Sequence, residues 1–267
     1  MIKSLILSLF LFASSTLLFA HSKQDTLRVP NFWADSLLNY SYTFISDTVF
    51  YQQIVVDRYQ SSVDSSRVQW IDSHAVLSSR KYKAVLNLAT ARNNSSTINS
   101  KWQDYFGYQN RMKMHIVYEG SVSSEYLGFG ALSLYDLQNG YQYPLAGSYD
   151  GACSVPVVSP NGHYFFCYDY CPDCPDEEST VYLYKLNISR KASRIKCMAM
   201  IHFPGEEEQL NDSAEINEIF WGKDGNIYVK ARKYMYVQAE HREDDLVGYI
   251  CCAYYRIDIK QKSKPTE

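Results

Sequence analysis

Apolar and polar residues alternate with a period of two along most of the chain after residue 40. Ile227, Val229 and Ala231 fall on one side of an extended segment whose other side carries Lys230 and Arg232. Such alternation is typical of a strand with one buried face. Beyond residue 40 we find no segment of ten residues with the 3.6-residue period of an amphipathic helix. The pattern therefore predicts an all-β fold made of antiparallel sheets.

Short polar segments rich in Gly, Asn, Ser and Pro separate the predicted strands. Gly140, Gly162 and Gly225 are expected to take left-handed conformations in tight turns. Residues 30–40 are predicted to hold one or two helical turns with Asn31 as the N-cap. The predicted strands cover two segments within 42–57 around a turn at 46–47, followed by 67–72, 81–90, 111–119, 127–137, 141–146, 152–158, 163–168, 181–186, 194–201, 216–221, 227–235 and 249–259.

Repeated hairpin motifs give the chain a family resemblance. Ser-Pro-Asn-Gly at 159–162, Val-Tyr-Leu-Tyr-Lys-Leu at 181–186 and Leu-Ser-Leu-Tyr-Asp-Leu-Gln-Asn-Gly at 132–140 resemble the blades of TolB-type β-propellers. In that family a Ser-Pro-Asp-Gly-like turn joins the first two strands of a blade, and a Tyr-x-Asp/Asn-Leu-x-x-Gly-like turn joins the last two. The resemblance covers roughly residues 127–260. No Trp precedes the turn at 159, a second turn has Gly-Lys-Asp-Gly at 222–225, and residues 30–110 contain no copy.

The resemblance implies one irregular β-propeller-like domain of about four blades. Residues 21–267 would form this domain, with N-terminal strands in 30–105 and blade-like repeats in 106–260. The last predicted blade has only three strands. Because propellers commonly close by adding the N-terminal strand to the last blade, we expect a strand between Tyr42 and Asp57 to pair there. A β-sandwich is the alternative fold.

Residues 1–20 have the order of features that is typical of a signal peptide. Lys3 precedes an apolar core at 5–12, and Ala20 is followed by a polar segment. We predict cleavage after Ala20 and an exported protein, located in the periplasm, at the cell surface or in the medium. A retained membrane anchor is the alternative. The first cysteine is Cys153, which disfavours a lipid-anchored N-terminus.

Composition excludes some partners. The net charge is -3 and the pI is about 6.1, so no basic surface is expected and nucleic acid is not a predicted partner. No second apolar run reaches membrane length, so no membrane span is predicted in the mature chain. The 24 tyrosines favour half-buried sheet surfaces, although they also suit a sugar- or protein-binding face. Core packing is the default interpretation of four candidate sugar-site tryptophans, Trp33, Trp70, Trp102 and Trp221.

Seven cysteines behind an export signal predict disulfide bonds. Zinc binding by His163, Cys167, Cys171 and Cys174 is one alternative for the C-x-x-C loop. A redox dithiol is another, although the acidic residues at 176–178 would raise the pKa of a thiol there. Cys251 is expected to be a core thiol, with Cys252 on the opposite face. The disulfide candidates are Cys153, Cys167, Cys171, Cys174 and Cys197.

Catalytic signatures are absent from the sequence. It contains no G-x-S-x-G, H-E-x-x-H or phosphate-binding loop, and no motif predicts a cofactor or a metal ion. We therefore predict a non-enzymatic binding protein whose loops contact a protein or envelope component. One alternative is a hydrolase or glycan-processing enzyme using Asp150, Asp169 and Glu215, and another is a structural surface protein. Acidic clusters at 173–178, 206–208 and 243–245 are expected to be solvated, with calcium binding as the alternative.

Overall fold

The protein is built almost entirely of β-strands. The computed structural model describes residues 27–34, 38–54, 67–72, 74–88, 101–122, 128–149, 152–170, 179–187, 194–202, 214–238 and 246–260. Within these segments, no helix has the length and apolar character that crossing a membrane requires. The elements are β1 (Asn39–Phe44), α1 (Asp47–Gln52), β2 (Val68–Ile71), β3 (His74–Ser78), β4 (Lys83–Asn87), β5 (Lys101–Gln109), β6 (Met114–Val122), β7 (Gly128–Asp136), β8 (Tyr141–Tyr149), β9 (Ala152–Cys153), β10 (Val157–Val158), β11 (Tyr164–Tyr170), β12 (Thr180–Leu186), β13 (Ile195–His202), β14 (Ala214–Trp221), β15 (Ile227–Gln238) and β16 (Leu246–Lys260).

These strands form four antiparallel sheets, which confirms the predicted all-β class. Sheet I has the order β2-β3-β4, and sheet II has the order β5-β6-β7-β8. Sheet III has the order β10-β11-β12-β13, with β9 also paired to β11. Sheet IV has the order β1-β16-β15-β14.

Sheet III contains the strands predicted for one blade. Local hydrogen bonds fix the turn at Ser159, which joins β10 to β11. Gly162 has a φ of 69° and its N–H donates to the carbonyl of Ser159 at 2.8 Å. The Ser159 hydroxyl donates to Asn161 Oδ1 at 2.8 Å and accepts from the Tyr164 N–H at 3.0 Å. The polar side chains therefore fix the turn, and glycine supplies the left-handed conformation that it needs.

The N-terminal strand completes the C-terminal sheet, as the sequence predicted. In the β1–β16 ladder, Tyr42 lies opposite Ile257. β1 thus pairs with the edge of β16 that faces away from β15, an edge that would otherwise be unpaired. This pairing is the one that a ring of blades requires, while closure of the ring itself stays a prediction.

Three hydrophobic clusters among the described residues join the sheets in chain order. One packs sheet I on sheet II around Leu77 and Val117, and a second packs sheet II on sheet III around Leu134 and Phe165. The third packs sheet III on sheet IV and includes Trp221. Each inner sheet therefore buries both faces, which explains its apolar residues at consecutive positions.

Two local predictions near the N-terminus are wrong. The second strand predicted within 42–57 is the helix α1, since Ser46 Oγ accepts from the Val49 N–H at 3.3 Å and Phe50 packs on Phe220 of sheet IV. The helical turns expected from Asn31 onward are extended backbone where described. Asn31 Oδ1 accepts from the Trp33 N–H two residues on, and residue 33 forms a parallel bridge with residue 197.

Two strands were not predicted. β3 supplies the central strand of sheet I, and β5 forms an edge of sheet II. The boundary predicted between residues 105 and 106 lies inside β5.

Candidate functional site

A cavity of about 430 Å³ opens at the start of sheet II, close to the end of β4. Across the β5–β6 ladder, Lys101 lies opposite Ser121 and Gln103 lies opposite Glu119. Directly opposed residues share a face of the sheet, so these four side chains lie on one face. The cavity is lined by Asn87, Lys101, Trp102, Gln103, Glu119, Gly120 and Ser121.

Trp102 and Gly120 face the other side of the same ladder. A Cβ placed on Gly120 would come within 2.3 Å of the Trp102 indole, so the ring lies directly against this glycine. Since strand side chains alternate, the Trp102 indole lies on the face opposite Lys101 and Gln103. The polar groups of the cavity lining come from Asn87, Lys101, Gln103, Glu119 and Ser121.

Glu119 holds the hydrogen-bond network at the base of the cavity. Its Oε1 accepts from Gln103 Nε2 at 3.0 Å and from the Tyr135 hydroxyl at 2.8 Å. Its Oε2 accepts from the Ser133 hydroxyl at 2.7 Å and from Gln142 Nε2 at 3.1 Å. A carboxylate offers about four acceptor positions, so these donors occupy all of them.

Tyr135 acts as a fixed donor in this network. Burial, and after it the charge of Glu119, raises the pKa of the Tyr135 hydroxyl well above its ordinary value. The hydroxyl therefore keeps its proton at neutral pH and holds the carboxylate in place. This arrangement positions Glu119 as a structural anchor, since a general base or nucleophile needs an unoccupied lone pair facing its substrate.

Gln103 connects sheet I to the same network. Both N–H groups of its amide are engaged, one by Glu119 and one by the Tyr135 oxygen at 3.2 Å. Its Oε1 accepts from the backbone N–H of Asn87 at 3.2 Å and keeps a second acceptor position. Lys101, which is exposed, and Ser121, which is half-buried, form the next opposed pair along the same face.

Aromatic rings continue the same face of sheet II beyond Gln103. Trp70 of β2 is 54% exposed and meets Tyr105 edge to face, with centroids 6.2 Å apart. The Tyr105 hydroxyl lies 3.0 Å from Nδ1 of the buried His115. The exposed Trp70 indole therefore contacts Tyr105, whose hydroxyl is within hydrogen-bond distance of the buried His115.

The cysteines predicted to form disulfides lie in different surroundings. Cys167 and Cys197 are wholly buried in the cluster between sheets II and III, and no disulfide is formed within the described part of the chain. Burial raises the pKa of the Cys197 thiol to about 12, which is the behaviour of an inert core thiol. Cys171 and Cys174 lie outside the described residues. Of Cys153 only the backbone is described, paired with Asp169.

The structure describes the side chain of Cys252 and only the backbone of Cys251. Cys251 lies opposite Lys233 in the β15–β16 ladder. Cys252 is an exposed free thiol on the other face. The prediction of a core position for Cys251 remains a prediction.

His163 and Cys167, the two predicted zinc ligands that the structure describes, are not placed to bind one zinc ion. His163 is exposed whereas Cys167 is wholly buried. Residues four apart on an extended strand are roughly 13 Å apart at Cα, whereas zinc holds each ligand atom within about 2.3 Å. No group of metal-binding side chains occurs among the described residues.

The three carboxylates proposed for a hydrolase are not shown to form a site. Asp169 accepts from the Thr180 N–H and from the Tyr182 hydroxyl on the neighbouring strand. Glu215 is described only as backbone in β14, opposite Arg232. Asp150 and the acidic clusters at 173–178, 206–208 and 243–245 lie outside the described residues.

The four tryptophans do not gather at one place. Trp221 is buried between sheets III and IV, where its Nε1 donates to the Val157 carbonyl at 2.9 Å. Trp33 stacks on Phe32 with centroids 5.9 Å apart. Trp70 and Trp102 belong to sheets I and II. Only Trp70 combines high exposure with a position near the cavity-bearing face.

The sequence prediction missed Lys101, Gln103, Glu119 and Ser121 as a group. Polar residues at 101 and 103 alternate with Trp102, and this period of two was the available signal for a strand. Compared with known proteins, the chain matches no family model, no curated protein and no solved structure.

Proposed function

We propose that this chain is an exported, non-enzymatic binding protein that recognises a protein or envelope component. The observation that supports the proposal is the saturation of Glu119, whose four hydrogen bonds convert the carboxylate at the base of the cavity into a fixed anchor. A rigid, prearranged polar surface suits recognition because little side-chain entropy is lost when a ligand binds. Export is part of the proposal and is supported by the signal-like residues 1–20.

Asp169, a carboxylate proposed for the alternative hydrolase, also accepts hydrogen bonds from neighbouring groups. Asp169 accepts hydrogen bonds from the backbone and from a tyrosine of β12, so it acts as a brace between two strands of sheet III. Glycoside hydrolysis needs two carboxyl groups about 5 to 10 Å apart on either side of the scissile bond. Nothing in the described geometry favours this second function.

Affinity capture combined with a turnover assay tests the proposal. Immobilised chain 21–267 should retain one stoichiometric component from the envelope or medium of the source cells, and soluble chain should displace it. The purified chain should leave envelope glycans and proteins chemically unchanged, as followed by mass spectrometry. Turnover by the purified chain would contradict the proposal, and its loss in Asp169→Asn would identify the hydrolase. Failure to retain any component would favour a structural surface protein.

A further inference from the structure

We infer that the cavity at the start of sheet II binds an acidic sugar, with the ligand carboxylate on Lys101 and ligand hydroxyl groups on Ser121 and Gln103. This inference rests on the proposed binding function and names the ligand class for the same site. It follows from the side-chain directions, the charge balance and the unfilled hydrogen-bonding positions of the cavity.

The directions of the side chains bring the contacting groups together. Lys101 and Ser121 are directly opposed in the β5–β6 ladder, and Gln103 is the next residue on the same face. Opposed residues have Cβ atoms about 5 Å apart, and the next position along the face lies about 7 Å away. A single sugar ring can therefore touch all three groups at once. The cavity volume of about 430 Å³ lies in the usual range of small-ligand sites.

The charge balance favours one negative charge on the ligand. Among the described residues that line the cavity, Lys101 is the sole cationic side chain and Glu119 is the sole anionic one. The four donors on Glu119 compensate its charge, which leaves the Lys101 ammonium as the group that attracts an anion. A carboxylate matches a single ammonium. A dianionic phosphate would need further cations or backbone N–H donors to match its second charge.

The remaining hydrogen-bonding positions call for hydroxyl groups. Gln103 Oε1 has one acceptor position left, and the Ser121 hydroxyl can donate and accept. A ligand with acceptors alone would leave Gln103 Oε1 unmatched. Adjacent hydroxyl groups on a sugar ring supply both kinds of partner, and the carboxylate of the same ring supplies the ion pair.

The aromatic pair offers a place for a second sugar unit. Tyr105 is two residues beyond Gln103 on the same face, and it carries the exposed ring of Trp70. The apolar faces of sugar rings pack on indole rings, since both present C–H and π surfaces that are poorly hydrated. An oligosaccharide of acidic sugars would therefore bind more tightly than a single unit.

Calorimetric titration of the purified chain 21–267 at pH 7 and low salt tests the inference. The probes are galacturonic acid, its α-1,4-linked dimer, galactose and galactose 1-phosphate. We expect galacturonic acid to bind at least about tenfold more tightly than galactose or the phosphate, and the dimer to bind more tightly still. Equal affinities for the acidic and neutral sugars would overturn the inference, and tighter binding of the phosphate would replace the sugar carboxylate with a phosphate ligand.

Variants tie the binding to the cavity. Lys101→Met should weaken galacturonic acid binding by about tenfold or more while leaving galactose affinity unchanged. The matched control is Lys185→Met, which removes an exposed strand lysine from sheet III and should bind like the wild-type chain. Trp70→Ala should reduce the dimer affinity to that of the monomer. Wild-type affinity in Lys101→Met would overturn the inference.

The outcomes separate the two proposals. A chain that retains its envelope partner but binds none of the four probes keeps the binding function and loses the acidic-sugar ligand. A chain that cleaves the dimer loses the non-enzymatic function even though the ligand class holds. Circular dichroism of each variant confirms that lost binding reflects the missing side chain and not a lost fold.

Discussion

The ring of Phe44 lies against the ring of Tyr255 across the β1–β16 ladder, with centroids 4.7 Å apart. Phe44 is 62% exposed whereas Tyr255 is 1% exposed, so the end of β1 covers a core residue of sheet IV. The two residues come from near opposite ends of the chain. Folding of sheet IV is therefore coupled to the arrival of the N-terminal strand, a contact of high sequence separation.

Tyr42 provides a test of this coupling. Its side chain packs on the cluster between sheets III and IV, while Thr43 points to the other face and donates to Asp258 at 3.1 Å. Tyr42→Ala should reduce the free energy of unfolding by about 2 kcal/mol, a partial version of the loss for a buried aromatic. Thr43→Ala should cost less than about 1 kcal/mol. Urea unfolding measures both values, and equal losses would mean that β1 does not seal the cluster.

The hairpin strands around Gly162 in sheet III and Gly225 in sheet IV were predictable because local chemistry fixes them. Gly162 and Gly225 have positive φ values of 69° and 83°, and each glycine closes a turn flanked by alternating apolar residues. Alternation and turn residues are read from neighbouring positions, so the sequence contains the information. The helix α1 was missed because Thr48 and Val49 favour strands locally, whereas packing of Phe50 on Phe220 and Tyr254 decides the outcome.

The candidate site was beyond prediction for a related reason. Glu119 meets Gln103, Ser133 and Gln142 only because β5, β6, β7 and β8 align in one register. A shift of one residue in any of these ladders would send a side chain to the opposite face. Sequence patterns identify strands but not the register between strands, so the convergence of these polar groups is a property of the fold.

The buried ion pair between Asp136 and Arg194 should be the most sensitive polar contact between sheets II and III. Arg194 Nη1 lies 3.6 Å from Asp136 Oδ2, and the two side chains are 6% and 0% exposed. Removing one partner leaves an uncompensated buried charge, so Arg194→Met should cost about 3 to 5 kcal/mol. Thermal and urea unfolding measure this loss.

A second ion pair supplies the matched control for that measurement. Arg256 and Asp258 of sheet IV are 2.9 Å apart from Nε to Oδ1 but are 36% and 26% exposed. Solvent screens this pair, so Asp258→Asn should cost about 1 kcal/mol or less. A loss in Arg194→Met as small as that in Asp258→Asn would contradict the buried role of the first pair.

Tyr135 should make stability fall at alkaline pH. Its pKa in the folded chain is raised, mainly by burial, whereas tyrosine in an unfolded chain has a pKa of about 10. The unfolded chain therefore releases this proton first as the pH rises. The contribution of Tyr135 is complete below about pH 10 and decreases as the pH rises further toward the folded pKa.

Urea unfolding at pH 7 and between about pH 9.5 and 11 measures this effect. Tyr135→Phe should be less stable at pH 7, because Glu119 loses a donor, and should show a shallower alkaline decline. Ser133→Ala removes another donor to Glu119 without removing a titrating group, so it should lower stability at both pH values and keep the wild-type slope. Parallel alkaline curves for Tyr135→Phe and the wild-type chain would exclude Tyr135 as the source.

The cysteines should react in an order set by their burial. Cys252 is exposed, whereas burial raises the pKa of the Cys197 thiol to about 12, and its sulfur lies 3.9 Å from the Ala199 carbonyl oxygen. Iodoacetamide at pH 8 should therefore modify Cys252 in the native chain and reach Cys197 only after unfolding. Peptide mass mapping identifies the modified residue, and Cys252→Ser is the control that removes the native reaction. Modification of Cys197 at the rate of Cys252 would contradict a core position. The same mapping on the unfolded, unreduced chain tests the predicted disulfides, since alkylation of Cys171 and Cys174 by iodoacetamide would show that the C-x-x-C loop is not crosslinked.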